Sequence, residues 1–182
     1  MMGVKSINPQ EEKMSIYIST HVQYYMNILK SKSATALRIL TEMEKDQRVD
    51  YRFYVSSSVT QATGCGRSYE GKRSTPGPLR ELFGETPGKY PYTMEVNTHC
   101  SVQFVDISGK PFKPSIERLF AHEMGHGYVF LQGDPSAARF LSQADYDKAV
   151  YYENVIAKEI DSDSPERAVS DHGNYHDIFR IK

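Results

Sequence analysis

The sequence predicts an α+β fold, and three observations carry that expectation. Two stretches near the start, from Asn8-Pro9 to about Lys30 and from Ala34 to Lys45, place apolar residues at helical spacing. Two stretches, Val49 to Thr60 and Tyr92 to Ile107, are rich in Val, Tyr, Phe, Thr and Ser and read as strands. Two more helical stretches follow, one opened by Ser115 and one running from Asp145 to about Ile160. The 182 residues suit one domain, 1–182, in which 1–47 form a helical N-terminal part. N-terminal helices are expected to pack on a small, mostly antiparallel sheet. A later helix would lie across that sheet, with the final helix opposite it.

In the first helix, Asn8 can cap, Pro9 suits the first turn, and Ile16, Ile18, Tyr24, Tyr25, Ile28 and Leu29 are its apolar positions. Ser33 can cap the second, which would bury Ala36, Leu37, Leu40 and Met43. From Gly64 to Pro91 the chain holds six glycines and four prolines, and reads as a long irregular stretch carrying Arg67, Lys72, Arg73 and Arg80. This basic loop is a candidate substrate contact. In the second strand, Val102 and Phe104 alternate with Ser101, Gln103 and Val105, before a turn at Ser108-Gly109-Lys110-Pro111.

Composition narrows the function. A net charge of −1 gives no reason to expect a nucleic acid or an anionic membrane as partner. No apolar run approaches the roughly 20 residues of a membrane span. The N-terminus lacks the apolar core of a signal peptide. Two cysteines, Cys65 and Cys100, are too few for a disulfide framework, and reduced thiols are the expectation in a chain this size.

Chemistry concentrates in Leu119-Phe120-Ala121-His122-Glu123-Met124-Gly125-His126, which contains H-E-x-x-H. On a helix, residues four apart share a face, so His122 and His126 can point both imidazoles at one Zn2+ ion. Zinc lowers the pKa of water to about 7, and Glu123 beside it can take the proton and pass it to a leaving amine. With 6 His among 182 residues, chance would produce this pattern in roughly 1 chain in 100. Gly125 and Gly127 each cost about 1 kcal/mol of helix propensity, which is reasonable where another backbone packs closely.

A catalytic zinc takes three protein ligands. Glu153 is the choice for the third, because it lies beside the stripe of Tyr152, Ile156 and Ile160, and a carboxylate next to a buried stripe needs a partner. Asp134, Asp145, Asp147, Glu159, His172 and His176 compete for that role. Asn154 and Asp106 are candidates to support the histidines. For the oxyanion donor the candidates are Tyr175, ranked first, His172 and Arg167.

The segment His122 to Gly127, followed by Glu153-Asn154, resembles the small bacterial type III-secreted zinc metallopeptidase effectors typified by NleD. The likeness runs from about Val102 to Tyr175. In that family an H-E-x-G-H-A helix precedes a Glu-Asn pair, then an arginine and a glycine. Here Gly127 replaces the alanine, and Arg167 and Gly173 stand about where the later pair falls. The arginine often found just after Glu-Asn is absent, since Val155-Ile156-Ala157 follow. The resemblance implies a zincin-like fold and a gluzincin-like ligand set with Glu153 third. It also implies secretion by a bacterium, action in the host cell cytoplasm, and cleavage of a host protein such as a mitogen-activated protein kinase. The working form would be a monomer. Two other readings share the motif: a metallo-amidase or toxin domain with a different substrate, and a zinc-stabilised binding protein without catalysis. The intact Glu123 argues against the last, because a structural site needs no base.

Overall fold

The computed structural model describes residues 16–71, 89–133 and 142–170. Its elements are β1 (Ile16–Ile18), α1 (Thr20–Lys32), α2 (Ala34–Lys45), β2 (Val49–Val55), β3 (Gly66–Glu70), β4 (Tyr90–Val96), β5 (Phe104–Val105), β6 (Pro111–Phe112), α3 (Ile116–Gln132) and α4 (Gln143–Ile160). The class is α+β.

The main sheet has the order β1-β2-β4-β3, and β5 pairs with β6 in a separate two-stranded ribbon. β1 and β2 run parallel, β2 and β4 run parallel, and only β3 is antiparallel to its neighbour. The sheet is therefore mixed, not mostly antiparallel. Parallel neighbours need a long crossover, and α1 with α2 supplies one between β1 and β2. Residues Ile16–Ile18, expected inside a first helix, form β1 instead. An Ile-Tyr-Ile run is β-branched and aromatic, and β2 offers it a ladder in the register Ile16↔Tyr51 to Ile18↔Phe53.

The sheet is one-sided. Tyr51 pairs with Tyr92, Phe53 with Met94 and Val55 with Val96, so these side chains share one face. Asp50, Arg52 and Glu95 take the other face, where Asp50 and Arg52 form an ion pair. The apolar face meets the helices, and one buried cluster runs through Met26, Leu40, Phe53, Met94, Phe120 and Ile156. The helix over Ala34–Lys45 has the bounds the sequence indicates, with Ser33 Oγ accepting from Ala36 N at 2.9 Å. Ala36, Leu40 and Met43 are buried as expected, but Leu37 is 47% exposed and Ile39 is buried in its place.

The expected strand from Tyr92 to Ile107 is divided. β4 ends at Val96, the chain turns through Asn97 to Cys100, and β5 begins at Phe104. Among the described strands, β4 lies inside the sheet, and β3, drawn from what reads as an irregular stretch, takes the edge beside α3. Residues 72–88, with Lys72, Arg73 and Arg80, lie outside the described residues. Among the described residues no helix is long and apolar enough to cross a membrane.

Cys65 and Cys100 are joined in a disulfide, which corrects the expectation of free thiols. Their Cα atoms are 5.7 Å apart, within the range a bridge spans without backbone movement. Gly64 and Cys65 both adopt positive φ, 67° and 62°, and turn the chain into β3. Cys65 O then accepts from Asn97 N at 2.9 Å. The bridge closes a loop across 35 positions, and such closure contributes about 2–4 kcal/mol by restricting the unfolded chain. Replacing both Cys65 and Cys100 by alanine is expected to lower the unfolding free energy by that amount. Chemical denaturation of the variant, and of the reduced wild type, measures it. Equal midpoints for oxidised and reduced protein would contradict it.

Candidate metal centre

α3 begins at Ser115, whose Oγ accepts from Arg118 N at 3.2 Å, as the sequence indicates. It is buried along nearly its whole length, from Arg118 to Phe130. α4 begins at Ser142 in a capping box with Asp145. The two helices run antiparallel: Arg118 meets Glu153 at one end of the contact, and His126 meets the Tyr146 ring at the other. Gly125 is what lets them approach. A Cβ built there would lie 2.8 Å from Ala149 O. At Gly127 a Cβ would lie 2.9 Å from Met94 Sδ, so this glycine lets α3 close onto the sheet.

One turn apart on α3, His122 and His126 bring their Nε2 atoms to 3.2 Å. Two nitrogens bound to one tetrahedral zinc at about 2.0–2.1 Å would stand about 3.3–3.4 Å apart. The pair therefore fits two of the ligand positions of such an ion. Both rings are buried. Among the described residues, no group of three His, Cys, Asp or Glu comes together as a metal cage.

Glu153 lies on the other side of His122. Its side chain is 0% exposed, and Oε2 sits 2.8 Å from His122 Nδ1. Oε2 also accepts from Arg167 Nη1 at 3.0 Å, and Oε1 accepts from Arg118 Nε at 2.6 Å. Each guanidinium rests on an aromatic ring of the β5–β6 ribbon: Arg167 on Phe104 with Cζ 3.5 Å from the ring centre, Arg118 on Phe112 at 4.6 Å. Asn154 ties the two arginines together. Its Oδ1 accepts from Arg118 Nη2 at 2.7 Å and from Arg167 N at 2.8 Å, and its Nδ2 donates to Arg167 O at 3.0 Å. An exchange of backbone contacts between Asp106 and Arg167 holds this segment against the ribbon.

Glu123 points at β3. Ser68 Oγ donates to its Oε2, and lies 3.3 Å from its main-chain oxygen. Gly66 leaves the room: a Cβ there would fall 2.1 Å from Glu123 Oε1. The two carboxylates are pushed in opposite directions. Burial raises the pKa of Glu123, against the pull of His122, the Ser68 hydroxyl and Arg167. Burial would raise Glu153 as well, but Arg167, the hydrogen bond from His122 and Arg118 hold it well below the usual carboxylate range. One of the two buried carboxylates is thus held ionised while the other is eased towards its protonated form.

Of the other residues singled out in the sequence, Arg167 and Asn154 join the site. Asp106 instead closes a turn, accepting from Ser108 and Lys110. Asp145 caps α4, Asp147 accepts from Gln143, and Glu159 accepts from Ser33 and Thr35 at the start of α2. Arg67 is paired with Glu95 and lies over Tyr69. Tyr175, His172, His176, Gly173 and Asp134 lie outside the described residues. Arg118, Ser68 and Gly66 carry parts of the site that the sequence does not announce. For Arg118 a signal existed, a lone cation one turn before His122 on an apolar helix.

Comparison with known protein families, with curated proteins and with solved structures finds no match to this chain.

Proposed function

We propose that the chain is a zinc-dependent endopeptidase. The observation that carries the reading is the pair of Nε2 atoms 3.2 Å apart. His122 and His126 would hold the ion. When bound, zinc would supply a Lewis acid that polarises a peptide carbonyl and acidifies water. Glu123 would act as the base. Its carboxylate would receive a proton and return it to the leaving amine, and the Ser68 hydroxyl would fix its direction while that happens. A substrate in extended form would add to β3, the sheet edge beside α3, through main-chain hydrogen bonds.

The narrower reading rests on the resemblance: a secreted bacterial effector that cuts a host protein, a mitogen-activated protein kinase being the first candidate. The Cys65–Cys100 bridge suits an oxidising setting better than a reducing cytosol. Action inside a host cell thus requires that the fold survive reduction.

Elemental analysis with a pooled protein digest, kinases included, tests the proposal. Purified protein is expected to carry one zinc per chain and to cleave. A chelator should abolish cleavage, and added zinc should restore it. Protein that takes up no zinc would end this reading.

A further inference from the structure

We propose that Glu153 is a positioning residue that acts through Nδ1 of His122, and does not itself bind the zinc. The inference rests on the zinc reading above and assigns Glu153 a different place in it. Within the imidazole ring, Nδ1 and Nε2 lie on opposite sides, and the Glu153 carboxylate is on the Nδ1 side at 2.8 Å. The Nε2 side is the one that faces His126. Both carboxylate oxygens already accept hydrogen bonds from guanidinium groups, Oε1 from Arg118 and Oε2 from Arg167. A guanidinium only donates, so the oxygens are acceptors; Arg167 Nη1 also approaches Nδ1, at 3.4 Å, but the shorter contact, at 2.8 Å, assigns Nδ1–H as the donor to Oε2. That leaves the lone pair of His122 on Nε2, aimed at the ion.

The clamp is fixed from behind. Arg118 Nη1 donates to Ser164 Oγ at 3.0 Å and to Pro165 O at 2.6 Å, and Asn154 binds both arginines. For Glu153 to reach a metal at Nε2, it would have to leave His122 and strand buried guanidinium charge, which the low-dielectric interior opposes. A carboxylate behind a ligating histidine orients the ring, fixes its tautomer and raises its basicity. Here Glu153, Arg118, Arg167 and Asn154 would together serve that one task.

A crystal structure of the zinc-loaded wild type decides the matter without any variant. The proposal expects Glu153 to remain on His122 Nδ1, outside bonding distance of the metal. A Glu153 oxygen at about 2.0–2.2 Å from zinc overturns it and leaves the peptidase reading standing. A wild type that binds no zinc overturns both. Cobalt(II) titration of Glu153→Gln adds a readout that a purely structural role would not give. The variant should bind about 10–100-fold more weakly with visible absorption bands unchanged in position. Shifted bands, reporting an altered set of bound atoms, would count against the proposal.

Discussion

Gly66→Ala is expected to lower kcat by about 10²–10⁴-fold, the range that a general base contributes, while leaving zinc content and thermal stability almost unchanged. The added methyl would occupy space 2.1 Å from Glu123 Oε1 and 2.8 Å from its Cδ. Those atoms are the far end of a flexible side chain, so they can swing away at modest cost. In doing so they leave the Ser68 hydroxyl and the direction it imposes. Gly66 lies in β3 without a positive φ, so alanine suits the backbone. It should recover about 0.4–1 kcal/mol by restricting the unfolded chain. Glu123→Gln sets the floor for comparison, since it removes the proposed base outright. Kinetics on the cleaved substrate, alongside melting curves and metal analysis, would measure the split. Full activity in Gly66→Ala would mean that the working position of Glu123 is not against β3.

Gly125→Ala is expected to do the opposite, harming stability first. Here the methyl would meet backbone: Ala149 O at 2.8 Å, Cα at 3.1 Å and C at 3.3 Å. Backbone cannot rotate aside, so α3 and α4 must separate. Alanine gains about 1 kcal/mol of helix propensity over glycine. Overpacking costs about 1–3 kcal/mol, occasionally more, and backbone overlap belongs at the upper end. A net loss of stability is therefore expected. Zinc affinity should fall with it, because the same interface sets His122 against Glu153 and His126 beside Tyr146. Denaturant midpoints and a competitive zinc titration would show both effects. A stabilised variant would mean that the helices are not in this contact.

What the sequence disclosed was local. The caps at Ser33 and Ser115 and the span Ala34–Lys45 follow from neighbours within one turn. The spacing of His122 and His126 fixes a shared face for the same reason. The parallel pairing of β2 with β4, the edge position of β3 and the Cys65–Cys100 bridge depend on partners far along the chain. Nothing near Gly66 or Ser68 signals them. Glu153 stood out as an acid beside an apolar stripe. Helical phase alone could not tell whether it meets His122 at Nδ1 or Nε2. That distinction depends on how Arg118 and Arg167 come together around it.

The motif itself is continuous, yet its supports are remote. Ser68 reaches Glu123 across 55 positions, and Glu153 reaches His122 across 31. Arg118 closes onto Pro165 across 47. A growing chain therefore carries His122 and His126 well before α4 and Arg167 exist to orient them. The geometry described here arises only once the long-range contacts close, and it is lost together with them on unfolding. On the peptidase reading, such a chain would be inert while it is being synthesised. Its hazard to the proteins around it would begin with the final stage of folding.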